Sequence, residues 1–325
     1  MSSQAQDGRS DLWSFVLSRF RCPDCMSVQL PVMDSTIRCS GCGTVFPVLD
    51  GRPVLLSSHN ELFPRSGYDR SGRDHVGARE RSWSRLLPSR SVNLAYRRNI
   101  QGFIGRLEGL ASADVLVIGA AHQREALTKL IGNRKSLRLM YSDVDIAADV
   151  DLYCDGHELP FQDQTFDGVI ASAVLEHVLN PTKVVAELYR ILRPNGLIYS
   201  EIPFLQQVHE GAYDFTRFTL SGHRRLLNQF SEIASGVVAG PATTLSWALE
   251  HFAVSCAPSN LAPFMRLSAR LAFFWLKYLD YLFGQRPSAS DGASCTFFLG
   301  ARSARAVTDA DIVARYSGTG TTTHL

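Results

Sequence analysis

The chain has 325 residues, 45% of them apolar and 20% charged, and 33 Lys and Arg stand against 31 Asp and Glu for a net charge of +2. This is the make-up of a globular protein of one large or two modest domains, and it excludes wholesale disorder, collagen and coiled coil. A balance so close to zero also excludes a surface built throughout to hold nucleic acid, while leaving room for a local basic patch.

Residues 1–12 are polar and lack a basic cluster leading into an apolar run, so no secretory signal is expected. No stretch of about 18 residues is free of charge, so no spanning helix is expected either. The expected location is cytoplasmic. In a reducing compartment the seven cysteines read as ligands or lone thiols rather than as a disulfide framework.

Four of them form two pairs, Cys22-Pro-Asp-Cys25 and Cys39-Ser-Gly-Cys42, with thirteen residues between the pairs. Each pair makes a tight turn whose backbone NH groups point at sulfur, and two facing turns supply four thiolates to a structural zinc with no open position. Gly41 and Gly43 suit those turns. The intervening 28–37 reads as a hairpin, and 45–56 as two short strands around Asp50-Gly51. Cys154, Cys256 and Cys295 are isolated and read as buried small hydrophobes.

Residues 59–91 read as an arginine-rich connector. From Arg65 to Arg106 there are ten arginines against Asp69, Asp74 and Glu80, a local +7. The stretch reads either as a grip on RNA or another phosphate-bearing substrate, or as a solvated linker. A helix is expected over 92–110.

From Asp114 apolar strands alternate with amphipathic helices. Strands are expected at 115–118, 137–140, 150–153, 166–171 and 196–202, with a helix over 181–192 and a last strand at 295–301. That alternation predicts an α/β, doubly wound, mostly parallel sheet with its ligand at the carboxyl ends of the strands. After the first strand the turn at Gly119, Ala120 and Ala121 is small enough for backbone to approach a ligand. Asp145, ahead of Asp143, is placed to accept from a ribose diol, and Asp155 from an exocyclic amine of adenine.

Three segments carry more than periodicity: Leu159-Pro-Phe-Gln-Asp-Gln-Thr-Phe-Asp167, Ala173-Val-Leu-Glu-His-Val178 and Leu192-Arg-Pro-Asn-Gly-Leu197. Together they resemble the class I S-adenosylmethionine-dependent methyltransferases of the type 11 kind, over roughly residues 92–235. The resemblance implies a Rossmann-like sheet of seven strands with the seventh antiparallel. It also implies that S-adenosyl-L-methionine is held by Gly119, Ala120, Ala121, Asp145, Ile146, Asp155, Gly156, Ser172, Ala173, Val174 and His177. One feature departs from the pattern: the acid and three glycines of the family's first loop fall here on Val117, Gly119, Ala121 and Gln123, so only the first glycine is kept. The missing acid removes an acceptor near the methionine end of the cofactor, which keeps a non-catalytic interaction protein among the readings.

Residues 202–223 resemble the same family's HxxPxDxxRYT segment on the methyl-acceptor side. There His209 is the candidate general base, with Asp214 and Arg217 to orient it or to bind a charged substrate; a purely local network of the three is the other reading. Over 261–283 the charged residues share one narrow arc and apolar side chains fill the rest of the circumference. Such a helix is expected either to be buried, at a homodimer contact for example, or to lie peripherally on a membrane surface.

The expected organisation is a tail at 1–18, a zinc ribbon at 19–58, the connector, a methyltransferase domain at 92–302 with an apolar helical insertion at 244–284, and a tail at 303–325. The expected activity is methyl transfer to an oxygen or nitrogen of a small-molecule, glycan or lipid acceptor. RNA gripped by the ribbon and connector is the alternative substrate.

Overall fold

A computed structural model describes residues 18–33, 36–68, 88–120, 123–132 and 134–320. Arg70, Arg73, Arg79, Arg81 and Arg85 of the connector, and Ala121 of the expected cofactor turn, lie outside the described residues.

In chain order the elements begin with four short strands, β1 Val32–Met33, β2 Thr36–Arg38, β3 Val45–Leu49 and β4 Arg52–Pro53, followed by α1 Tyr96–Leu107. Then come β5 Ala113–Ile118, α2 Arg124–Ile131, β6 Leu137–Asp143, β7 Leu152–Tyr153, β8 Phe166–Ser172, α3 Pro181–Ile191 and β9 Leu192–Pro203. The remainder is α4 Leu220–Leu226, β10 Phe230–Ala239, α5 Pro241–Ser255, α6 Ala262–Phe273, α7 Asp280–Phe283, β11 Cys295–Arg302 and α8 Asp309–Ala314.

The first four strands form one sheet, and the other seven a second in the order β10-β11-β9-β8-β5-β6-β7. β5, β6 and β7 pair in parallel, and β11 runs antiparallel to both its neighbours. This is the doubly wound, seven-stranded, mostly parallel sheet expected from the sequence, with the strand last in the chain reversed. The chain divides into two compact units, one of 1–79, 110–169 and 186–196, the other of 80–109, 170–185 and 197–325.

In the first unit, β5 is buried along its whole length. The edge of β7 is covered from within the unit: Val54 bridges Tyr153 in parallel, and Leu55 NH donates to Tyr153 O at 2.9 Å. The family-like motifs do framework work here. Arg190 donates to the Phe161 and Leu159 carbonyls at 2.7 and 3.0 Å and to Asp163 at 2.8 Å, while Glu187 accepts from Leu159 NH at 2.9 Å. The loop before β8 is thereby fastened to the end of α3. Asp167 accepts from Asp114 NH at 2.8 Å and from Arg193, and the buried Asp114 carboxylate accepts from Arg138 at 2.7 Å.

In the second unit, the single helix expected over 261–283 is interrupted: α6 passes into a 3-10 stretch, Phe274–Leu279, before α7. Its charges do not form an outward stripe. Lys277 is buried and donates to Ser89 Oγ at 2.8 Å, and Arg270 donates to Pro88 O. Asp280, also buried, accepts from the NH groups of Gly240, Ala242 and Thr243 at 2.9–3.0 Å, satisfying the amino end of α5. With Arg270, Lys277 and Asp280 turned inward, Phe264, Leu271, Trp275 and Leu282 are left exposed. Burial within the chain is therefore not the fate of this apolar circumference.

Cys256 is exposed rather than buried. Beyond β11, α8 begins on a Thr308–Asp311 capping box, after which Thr319 NH donates to Asp291 at 2.6 Å.

Candidate functional site

The four cysteines meet as expected. Cys22 Sγ lies 3.7 Å from Cys42 Sγ, and Cys25 Sγ lies 3.5 Å from Cys39 Sγ. Four thiolates around zinc, each about 2.3 Å from it, stand about 3.8 Å apart, so the donor set fits a tetrahedral zinc. The two turns are built alike. Cys22 NH donates to Ser27 O and Met26 NH to Cys22 O, and likewise Cys39 NH to Thr44 O and Gly43 NH to Cys39 O, all at 2.8–2.9 Å. The residue after each pair is left-handed, Met26 at φ 64° and Gly43 at φ 76°. Gly41 serves differently from expectation: a Cβ there would stand 2.9 Å from Ser27 Cβ and 3.2 Å from Cys25 Sγ. Asp24, inside the first turn, accepts from Ser58 NH at 2.8 Å and Thr44 Oγ1 at 3.0 Å.

Of the cofactor residues expected in the first unit, Gly119 and Ala120 follow β5, Asp145 and Ile146 follow β6, and Asp155 and Gly156 follow β7. Gly119 turns out of β5 at φ 60°, a conformation that costs glycine nothing. Ala120 NH then donates to Ser142 O at 3.2 Å, which brings the turn alongside the end of β6. Val117 is fully buried in β5, where the family has an acid. Asp145 is exposed, and its Oδ1 accepts from Ala147 NH at 2.9 Å. No bond to its other oxygen forms among the described residues. Ile146, beside it, is buried, and its carbonyl accepts from Tyr153 Oη at 3.1 Å.

Asp155 differs from a free acceptor. One oxygen takes His157 NH at 2.9 Å and lies 2.6 Å from His157 Nδ1, and the other takes Asn60 Nδ2 at 2.7 Å. Burial alone would raise its pKa, but these bonds outweigh it and hold the carboxyl below its usual value. The turn Gly156–Glu158 begins on this cap.

In the second unit, β8 ends at the buried Ser172, and Ala173 follows at φ 55° with its NH donating to Glu201 O at 3.0 Å. Val174 is half-buried. His177, expected at the cofactor, has Nδ1 2.8 Å from Tyr213 O and its ring edge-on to His209, centroids 4.9 Å apart. His209 Nδ1 is 3.3 Å from Asp214 Oδ2, and Arg217 holds the Asp214 carboxylate in bidentate fashion while its Nε donates to Gln206 O at 2.9 Å. Burial holds the His209 pKa below its usual value despite the Asp214 charge, leaving the ring neutral near pH 7. Burial would lift Asp214, but Arg217 and the His209 NH outweigh it and bring it down to about 2.

Glu176 is the residue whose prominence the sequence did not reveal. It is fully buried, both carboxyl oxygens lack a hydrogen-bond partner among the described residues, and burial, opposed by Arg217 and added to by the Asp214 and Glu201 charges, pushes its pKa up to about 8. A charged residue in the apolar run Val174-Leu-Glu-His-Val178 was the available signal.

Residues 126–200 match the family model described as a methyltransferase domain. Among curated proteins, the chain is similar to the ubiquinone/menaquinone biosynthesis C-methyltransferase UbiE of Desulfotalea psychrophila, 44% identical over 43 residues, 13% of this chain and 18% of that one. It is also similar to UbiE of Neisseria meningitidis serogroup C, 36% identical over 67 residues, 20% of this chain and 27% of that one. The chain thus spans at most 27% of the length of these curated relatives. Among solved structures, phosphoethanolamine N-methyltransferase 2 of Haemonchus contortus, in complex with S-adenosyl-L-methionine, is 15% identical with a TM-score of 0.38, covering 63% of this chain and 52% of that one.

Proposed function

We propose, for a chain whose core is that of a class I S-adenosylmethionine-dependent methyltransferase, that it binds S-adenosyl-L-methionine and transfers the methyl group to an oxygen or nitrogen of a small-molecule, glycan or lipid acceptor. The observation that carries this reading is the pairing of left-handed Gly119 with exposed Asp145 at the carboxyl ends of adjacent parallel strands. A turn without a Cβ lets a ligand approach backbone NH groups, and a carboxylate oxygen left free accepts from a ribose diol. Ile146 supplies apolar surface beside it, and Asp155 and Gly156 shape the adenine end.

When bound, S-adenosyl-L-methionine supplies an electrophilic methyl group. The chain's own part is alignment, and on the acceptor side a neutral imidazole: His209, oriented by Asp214, takes the proton that a hydroxyl or amine releases. Buried Val117 offers no acceptor for the methionine amino group, so affinity rests on the ribose and adenine ends. Cys22, Cys25, Cys39 and Cys42 hold zinc in a structural role, since four thiolates leave no position for substrate. The exposed apolar side chains of 261–283 form the surface for a second copy or another partner.

The test is to incubate the protein with methyl-labelled cofactor and cell extract separated into small-metabolite, glycan, lipid and RNA fractions. Label is expected in one of the first three. Label confined to RNA would replace the acceptor class, and no transfer despite intact cofactor binding would favour an interaction protein on this scaffold.

A further inference from the structure

Glu176, His177 and His209 each offer one ligand atom, and these atoms lie within 4.8 Å of one another. Glu176 carries the argument. A carboxylate with 1% of its side chain exposed and no hydrogen bond to either oxygen has lost its water without gaining a partner, and a cation is what such a group lacks. Its Oε1 is 3.7 Å from His177 Nε2.

The two imidazoles are held as ligating imidazoles are. His177 Nδ1 faces the Tyr213 carbonyl at 2.8 Å, so that nitrogen carries the proton and Nε2, toward Glu176, carries the lone pair. His209 Nδ1 lies 3.3 Å from the Asp214 carboxylate and 3.3 Å from Gln206 Nε2, and Asp214 is fixed in turn by Arg217. A carbonyl or carboxylate behind each ring is the outer-shell support that fixes a metal-bound histidine.

We propose that Glu176, His177 and His209 bind a divalent first-row transition-metal ion at a site distinct from the four cysteines. Two imidazoles and one carboxylate suit zinc, iron or cobalt better than magnesium or calcium. The histidine side chains are 20% and 19% exposed, so the ion enters from their side and keeps its remaining positions open to water or an acceptor oxygen. An ion about 2.1 Å from each donor draws neighbouring donors to roughly 3.0–3.4 Å, a closure that side-chain rotation supplies. The inference stands on these donors and not on methyl transfer. The His209 lone pair used as a base in the ion-free site is the same one given to the ion, so the two uses are alternatives.

The test is a titration of the protein, with zinc already in the cysteine site, by Co²⁺, read by calorimetry and visible absorption. One equivalent is expected to bind with weak d–d bands and without the sulfur-to-cobalt charge transfer of a cysteine site. Glu176→Gln, which keeps the side chain's shape, and His209→Ala, in the loop after β9, are each expected to weaken binding at least tenfold, so that either folded variant suffices. No bound equivalent, charge-transfer absorption showing the cobalt on sulfur, or affinity unchanged in the folded variants would overturn the site.

Discussion

The Ser172 hydroxyl donates to Glu201 Oε2 at 2.7 Å, joining the end of β8 to β9 through a buried pair. Tyr199 donates to the other oxygen of Glu201, and Asn99 Nδ2 reaches the Tyr199 hydroxyl at 3.4 Å. Burial raises the Glu201 pKa, and hydrogen bonds from Tyr199, Ser172 and Asn93 offset only part of the rise. Glu201→Ala removes the acceptor of two buried hydroxyls and opens a cavity, and is expected to destabilise the chain by about 2–4 kcal/mol in urea unfolding. Glu201→Gln keeps the shape and one acceptor, and is expected to cost less than half of that.

Asp167 is an internal brace of the first unit, accepting from Asp114 NH and from Arg193. Asp167→Ala leaves the Asp114 NH without its acceptor and takes one of two carboxylates from Arg193, which keeps Asp114 at 3.5 Å, at a cost of about 1–3 kcal/mol. Cofactor affinity of the folded variant is expected to stay within twofold of wild type, because Asp167 lies at the start of β8. Urea melts and calorimetry on the same variant separate the two effects.

His223 is buried between Thr296 and Ser200, with ring nitrogens 3.2 and 3.1 Å from their hydroxyls, and burial pulls its pKa down to about 3. The unfolded chain takes up this proton near pH 6.5 and the folded chain does not until about pH 3, so stability is full above 6.5 and falls as pH drops between the two. The contribution is about 1 kcal/mol per pH unit. His223→Gln is expected to remove one proton from the linkage over that window, read as a shallower dependence of unfolding free energy on pH.

Zinc is expected at one tightly held equivalent per chain after dialysis against a weak chelator. Cys39→Ser, which takes a buried thiolate from the set, is expected to reduce it to near zero by elemental analysis and to expose 18–68 to proteolysis. Full retention of zinc in this variant would contradict the four-cysteine assignment.

Much of this was legible because local chemistry and fold agree. Apolar strand runs and the paired cysteines needed no distant partner to be read, and Gly119 and Asp145 followed from strand ends. The rest depends on partners far along the chain. Lys277 turns inward because Ser89 is there, 188 residues earlier, and Asp280 because α5 begins beside it, so periodicity alone misplaced the charges of 261–283. Left-handed Met26 and Ala173 carry no compositional signal, unlike Gly43. Glu176 and Glu201 each interrupt an apolar run, a pattern that marks a polar group with a buried task without saying which.

Calorimetry with S-adenosylhomocysteine measures whether the ends of β5 and β6 hold the cofactor. One site per chain is expected, weakened at least tenfold by Asp145→Ala with an unchanged urea midpoint. No heat at millimolar ligand, or equal affinity in wild type and Asp145→Ala, would rule out a cofactor site at these strand ends.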